Sequence, residues 1–101
     1  MERFKELRDK VLPVLLPWGV TRIALFGSVV RGEDAPGSDI DILVELKDPS
    51  ARPAIGLRWF GLEEELRALL GREVELVSAS ALSPYIRPYV EEEMVILYEE
   101  G

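Results

Sequence analysis

Two residue types that proteins often use for catalysis and metal binding are missing from this sequence. Its 101 residues include no cysteine and no histidine. Without cysteine, disulfides, zinc–thiolate sites and a cysteine nucleophile are excluded. Without histidine, a Ser-His-Asp triad, a histidine base and imidazole metal ligands are excluded. Acid–base or metal chemistry must therefore rest on carboxylates, which favour a hard cation such as Mg²⁺ or Mn²⁺.

Positive charge is scarce as well. The chain has 12 lysines and arginines against 19 aspartates and glutamates, and its formal net charge is −7. A field of this sign repels polyanions, so direct nucleic-acid binding is not expected. A single nucleotide accompanied by a divalent cation stays compatible with this charge, and so does a basic protein partner.

Long apolar segments are also missing. The longest, residues 11–20, contains two prolines and is far too short to span a bilayer. The first residues mix charges and lack an apolar signal core, so we expect a cytoplasmic protein with no membrane association. The length predicts a single domain spanning residues 1–101.

Hydrophobic periodicity and turn residues predict an α/β (α+β) domain, in which helices flank a small mixed sheet of three to four strands. The predicted strands are residues 20–26, 39–46, 73–77 and, from a short apolar run, 94–98. Helical segments are predicted from residue 4 onward and over 29–32, 55–70 and 84–93. Pro13 predicts a kink or break of the first helix near Leu12, and Ser83 is a candidate cap for the last helix.

The most informative stretch is a Gly-Ser pair followed, after ten residues, by Asp-x-Asp. Gly27 and Ser28 end a predicted strand and open a short helical turn, where glycine lets backbone N–H groups approach a phosphate closely. Asp39 and Asp41 stand two apart in a predicted strand, so their side chains project from one face. Carboxylates placed together repel each other, and a divalent cation bound between them reverses the sign of that interaction.

With this spacing the chain resembles the minimal nucleotidyltransferase branch of the DNA polymerase β-like nucleotidyltransferase superfamily. Residues 24–26, Ser38 and residues 82–89 also look like that family. The resemblance implies the polymerase β-like fold and transfer of a nucleotide from ATP. It implies that Asp39 and Asp41 are catalytic ligands of Mg²⁺ or Mn²⁺. It also implies that Gly27 and Ser28, with Ser38, contact the nucleotide.

The resemblance also implies a third carboxylate on a neighbouring strand, usually an aspartate. The matching position is Glu75, to which we assign a catalytic and metal-binding role, although glutamate is one methylene longer. Glu73 lies on the same face of the predicted strand and could compete for the role. The alternative is that Glu75 is a surface residue paired with Arg72 or Arg87.

Arg31, four residues after Gly27, has two interpretations of equal weight. It meets a phosphate with its planar guanidinium, or it pairs with Glu33 or Asp34 in the following loop.

Three further patterns have structural interpretations. The leucine stripe Leu62, Leu66 and Leu69 is expected in the core, and the glutamates at 91–93 are expected on a solvated helix face. Tyr85 and Tyr89 line one helix face. Core packing is the simpler interpretation for them, and a partner surface is the functional one.

Minimal members of this family are similar to the antitoxin half of a two-gene system whose other half is a HEPN-domain toxin. The resemblance therefore implies AMP transfer from ATP to a hydroxyl, expected to be a tyrosine of such a toxin, within a complex of the two proteins. Two alternatives stay open. One is a non-catalytic module that caps its partner, and the other is an adenylyltransferase acting on a small molecule such as an antibiotic.

Overall fold

The computed structural model describes residues 4–32 and 39–100. Its strands are β1 (Val20–Phe26), β2 (Ile40–Leu46), β3 (Val74–Ser78) and β4 (Val95–Glu99). They form one sheet in the order β3-β2-β1-β4. β1 runs antiparallel to β2 and β4, whereas β2 and β3 are parallel. The predicted small mixed sheet is confirmed, and the apolar run near the end of the chain forms its fourth strand.

The helices are α1 (Lys5–Leu15), α2 (Ser28–Arg31), α3 (Arg58–Leu70) and α4 (Arg87–Glu93). Of the two outcomes predicted near Leu12, a kink or a break, the break was wrong, because α1 continues through Pro13 and its last turn is closed by the Leu16 N–H bonded to the Leu12 carbonyl. Proline removes one helical hydrogen bond. On both sides of Pro13, α1 buries Val11, Val14 and Leu15, and this packing holds the helix together.

Both α3 and α4 begin later than their sequence patterns predicted, at Arg58 and Arg87. A hydrogen-bonded turn precedes each helix. The Arg58 N–H donates to the carbonyl of Ile55 at 2.9 Å, and the Ile86 N–H donates to that of Ser83 at 3.1 Å. The Ser83 hydroxyl accepts from the Tyr85 N–H at 3.1 Å, so Ser83 caps this turn and not α4 itself.

One face of the sheet is covered by α1 and α3 and holds most of the apolar core. On this face Ile42 of β2 is fully buried, and so is Leu66 of α3. Ile40 and Val44 are buried beside Ile42, as the alternation in β2 predicted. Leu69 is 44% exposed, so its assignment to the core was wrong. The helical period points Leu66 and Leu70 at the sheet and turns Leu69 toward solvent.

The opposite face carries a smaller apolar cluster under α4, formed by Ala24, Leu43, Ala79 and Val90. Because side chains alternate along a strand, Asp41 shares this face with Leu43. Two side chains of helix α3 form hydrogen bonds with the backbone of the edge strand β3. The Glu63 carboxylate accepts from the Leu76 N–H at 2.9 Å, and Arg67 donates to the Val74 carbonyl at 3.2 Å. These bonds fix the strand that carries Glu75.

Within residues 4–32 and 39–100, no helix combines the length and the apolar character needed to cross a membrane.

Candidate active site

The carboxylates of the Asp-x-Asp motif lie at the end of the sheet where β1 finishes and β2 and β3 begin. Asp41 pairs in register with Phe26, the last residue of β1, and with Glu75 of β3. Asp39 directly precedes β2 and is exposed. The structure therefore brings Asp41 and Glu75 to adjacent positions on neighbouring strands, with Asp39 two residues away along the chain.

Gly27 lies directly against Asp41. Its backbone has φ 80° and ψ −154°, a conformation that residues with a side chain essentially do not adopt. A Cβ atom placed on Gly27 would collide with the Asp41 carboxylate. Ser28 follows as the first residue of α2, and the Val30 and Arg31 amides donate to the Gly27 carbonyl at 3.1 and 3.3 Å. Position 27 therefore requires glycine for two reasons: its backbone conformation and the close approach of the Asp41 carboxylate.

Negative charge accumulates around Asp41. Burial raises the pKa of its carboxyl group, and the negative charges of Glu75 and Asp39 raise that pKa further. The guanidinium of Arg31 acts in the opposite direction, and Glu93 adds to the upward shift. The folded chain therefore holds Asp41 in an environment that disfavours its ionised form.

The oxygen ligands present fit a hard divalent cation that arrives with phosphate. Among the described residues, no three acidic side chains come close enough to hold a metal ion. Mg²⁺ is commonly held by one or two carboxylates together with substrate phosphates and water, and seldom by an all-protein cage. Asp39 and Asp41 are suited to that arrangement, and the repulsion around Asp41 is what a cation would relieve.

Glu75 and Glu73 have different surroundings. Glu75 is exposed, and no ion pair joins it to another residue of the described chain. Arg87, one of its expected partners, donates to the carbonyl of Ala79 at 2.6 Å. Glu73 lies outside β3 and pairs with the Arg67 Nε atom at 3.0 Å. The geometry therefore favours Glu75 over Glu73 as the third carboxylate, whose role stays a prediction.

Arg31 has a partner that neither of its interpretations included. Its Nη1 atom lies 3.1 and 3.0 Å from the two carboxylate oxygens of Glu93. The loop partners Glu33 and Asp34 lie outside the described residues, and so does Ser38.

Glu93 is the residue that sequence reasoning missed, since it was grouped with a solvated helix face. Its Oε1 atom also accepts from the Gly27 N–H at 2.9 Å. A signal was available, because Glu93 is the last polar residue before the apolar run that forms β4. As β4 pairs with β1, this position lies close to the end of β1.

A cavity of about 470 Å³ lies at the other end of β2 and β3, lined in part by Lys47, Arg52 and Arg87. It does not include the motif residues. The carboxylates lie at the opposite end of these two strands, where β2 and β3 begin.

Comparison with known proteins identifies the family. The chain matches the model of the nucleotidyltransferase domain over residues 4–97. The protein adenylyltransferase MntA of Thermococcus cleftensis is 44% identical over 92 residues, which cover 90% of this chain and 81% of the relative.

Two solved toxin–antitoxin structures resemble the chain in fold. A toxin–antitoxin complex with AMP-PNP superposes with a TM-score of 0.78 and 25% identity, covering 93% of this chain and 74% of that one. An MNT antitoxin in complex with a tri-AMPylated HEPN toxin of Shewanella oneidensis superposes with a TM-score of 0.69 and 23% identity, covering 91% and 69%. The family that the Gly-Ser and Asp-x-Asp spacing predicted is therefore confirmed, and this chain belongs to the nucleotidyltransferase domain family.

Proposed function

We propose that this chain transfers AMP from ATP to a hydroxyl group of a partner protein. The observation that carries the proposal is the position of Asp41, which lies against the bare Cα of Gly27 and opposite Glu75. This arrangement concentrates negative charge beside the turn that the family uses for phosphate. The name of the 44% identical relative, a protein adenylyltransferase, supports AMP as the transferred group.

Asp39 and Asp41 would hold Mg²⁺ or Mn²⁺ together with phosphate oxygens. Bound there, the ion would neutralise charge that develops on the reacting phosphates. Gly27 and Ser28 orient the triphosphate. In the reaction, the acceptor oxygen forms a bond to the α-phosphorus, the bond between that phosphorus and the β-phosphate oxygen breaks, and pyrophosphate leaves.

Glu75 is the candidate for the remaining task, which is to assist metal binding or to accept the proton of the acceptor hydroxyl. Its exposure and its lack of an ion pair with other described residues leave the carboxylate available for either role. A general base typically contributes about 10²- to 10⁴-fold in rate. Loss of a metal ligand would instead raise the Mg²⁺ concentration that the reaction requires.

The acceptor that we propose is a tyrosine of a HEPN-type toxin. This assignment is supported by the family resemblance and by the toxin–antitoxin complex that shares the fold. The net charge of −7 would favour encounter with a basic RNA-binding partner. Attached AMP would then add negative charge and bulk to that partner, and both would oppose RNA binding.

Exposed aromatic residues near the site fit a protein acceptor. Tyr85 is 85% and Tyr89 73% exposed, so their interpretation as core residues was wrong. Tyr89 precedes Glu93 by one turn of α4, and Glu93 contacts Gly27. Aromatic side chains are enriched in protein interfaces, and Tyr89 lies one helical turn from the residue that contacts Gly27.

The test is to incubate the chain with ATP, Mg²⁺ and the HEPN-type protein encoded beside it, and to weigh the partner by mass spectrometry. We expect a gain of one or more AMP units with the wild type and with Asp48→Asn, which alters an exposed carboxylate outside the motif. Asp41→Asn should give no gain. A partner that is inhibited but unmodified would show that the chain acts by capping. ATP-dependent modification of an antibiotic but not of the protein would favour the small-molecule alternative.

A further inference from the structure

The turn at Gly27 and Ser28, which we propose receives the triphosphate, is connected to the end of α4 by the side chain of Glu93. Glu93 accepts a hydrogen bond from the Gly27 N–H at 2.9 Å and contacts Arg31 Nη1 with both oxygens, at 3.1 and 3.0 Å. Gly27 precedes α2 and Arg31 is its last residue. A single carboxylate therefore spans both ends of α2, from a position 66 residues further along the chain.

Gly27 needs an anchor because glycine does not define its own conformation. The residue has no Cβ and populates several backbone regions with similar ease. The contact with Asp41 forces position 27 to be glycine but leaves the turn free to adopt other conformations. The hydrogen bond to Glu93 restrains the amide of this residue directly. Ion pairing similarly restrains Arg31, whose long side chain has many rotamers.

Glu93 itself is held firmly. It ends α4, where the next residue donates its N–H to the Val90 carbonyl at 2.9 Å, and Val90 is buried in the cluster under that helix. β4 begins two residues later, and its Val95 pairs with Leu25 of β1. The side chain of Glu93 is 31% exposed. Glu93 is therefore held in place through the pairing of β4 with β1, and β1 is also the strand that leads into Gly27.

We propose that Glu93 is a positioning residue, whose carboxylate holds the Gly27 amide and the Arg31 guanidinium in the arrangement that receives the triphosphate. This inference rests on the proposed function for the identity of the ligand. The contacts themselves exist without a nucleotide. Glu93 does not touch substrate in this assignment and acts through Gly27 and Arg31.

A different role would follow from the same contacts. Glu93 could occupy donors that the triphosphate needs, in which case the nucleotide would have to displace it. The position of Glu93 favours positioning, because its backbone ends α4 and β4 begins two residues later, so the residue does not lie in a loop that could swing away. The two roles predict opposite changes in nucleotide affinity when Glu93 is removed.

The experiment compares Glu93→Ala and Glu93→Gln with the wild type and with Glu92→Gln, a matched control at an exposed neighbour. Mg-ATP binding is measured by calorimetry, and hydrogen exchange of the Gly27 amide is measured without nucleotide. We expect Glu93→Ala to weaken binding about tenfold, the change produced by losing roughly 1.4 kcal/mol, and to speed exchange at Gly27. Glu93→Gln, which keeps an acceptor for Gly27 but loses the charge facing Arg31, should give a smaller change in both.

Kinetics on the partner protein give the readout that a loss of fold would not reproduce. The KM for ATP should rise in Glu93→Ala while kcat falls less, and Glu93→Gln should restore part of the difference. Tighter ATP binding by Glu93→Ala would overturn the proposal in favour of competition. Unchanged Gly27 exchange would overturn it as well. If the wild type binds no Mg-ATP, the proposed function fails, whereas the exchange data still decide whether Glu93 holds the turn.

Discussion

The two faces of the sheet are built from side chains with opposite properties. The face under α1 and α3 is lined by buried aliphatic residues, including Ile42 and Leu66 with no exposed surface. The face under α4 has only a small cluster around Leu43. Beyond that cluster, at the starts of β2 and β3, lie Asp41 and Glu75. Successive residues of one strand therefore have different roles: Ile42 packs in the larger apolar core, and Asp41 belongs to the candidate site on the other face.

The comparison shows how a small α/β protein can accommodate a site that destabilises its own fold. Burial of apolar surface contributes about 25 cal/mol per Å², and the larger cluster supplies most of it. The opposite face can then hold neighbouring carboxylates whose mutual repulsion opposes folding. If the two faces have these separate roles, substitutions on the apolar face should lower mainly the free energy of unfolding, and substitutions of the carboxylates should lower mainly the rate of AMP transfer.

The largest effect is expected on turnover, at the carboxylate face. Glu75→Gln should reduce AMP transfer by about 10²- to 10⁴-fold if Glu75 accepts the proton of the acceptor hydroxyl, with little change in unfolding. Glu73→Gln is the matched control, because Glu73 pairs with Arg67, and it should leave turnover nearly unchanged. Transfer rates at saturating Mg²⁺ decide between them. The reverse pattern would assign the role to Glu73.

The next effect is expected on stability, at the apolar face. Leu66→Ala removes a fully buried side chain and should lower the free energy of unfolding by about 3 kcal/mol. Leu69→Ala, one turn away and 44% exposed, should change it by no more than about 0.5 kcal/mol. The free energies of unfolding of the two variants and the wild type are measured by denaturant titration. Equal losses would mean that the assignment of Leu69 to solvent is wrong.

Gly27→Ala should affect both properties at once, because Gly27 connects the last residue of β1 to the carboxylate site. Its positive φ and its closeness to Asp41 make the added methyl group unfavourable by about 2 kcal/mol. Nucleotide binding should be lost with it. The control is Gly61→Ala in α3, where a Cβ meets nothing within 4 Å and helix propensity predicts a gain of about 1 kcal/mol. Melting temperatures that shift in the same direction would contradict this account.

The sequence predicted most of these elements because their signals are local. Alternation in residues 40–44 predicted the buried face of β2, and the spacing from Gly27 to Asp41 predicted the candidate site, in which the structure places these two residues in contact. Element starts were less well predicted, since the turns before Arg58 and Arg87 satisfy backbone groups much as a helix would. Glu93 was missed because its contact with Gly27 depends on β4 pairing beside β1, and its position before the apolar run of β4 becomes informative only once that long-range pairing is known. Core packing was the wrong interpretation for Tyr85 and Tyr89, because Tyr85 lies in the turn before α4 and a four-residue spacing does not show which side of a helix is covered.

The smallest free-energy effect concerns Asp41 without nucleotide. Burial and the charges of Glu75 and Asp39 raise the pKa of the Asp41 carboxyl group in the folded chain, so the folded state favours the protonated form. This contribution lowers stability as pH rises through the interval between the usual pKa of 3.8 and the raised one. Asp41→Asn should therefore be more stable than the wild type at neutral pH, by about 0.5 kcal/mol as for a single cross-strand pair. The difference should shrink as pH falls below that interval.

The most direct test of the division between the two faces is the free energy of unfolding of the wild type and Asp41→Asn at neutral pH, each with and without Mg-ATP. Without ligand, Asp41→Asn should be the more stable of the two. With Mg-ATP at about 100 times its dissociation constant, the wild type should gain about 2.7 kcal/mol, and Asp41→Asn should gain nothing measurable. An Asp41→Asn chain that is less stable than the wild type without ligand, and that is stabilised equally by Mg-ATP, would contradict both the repulsion at Asp41 and its role in binding the metal and nucleotide.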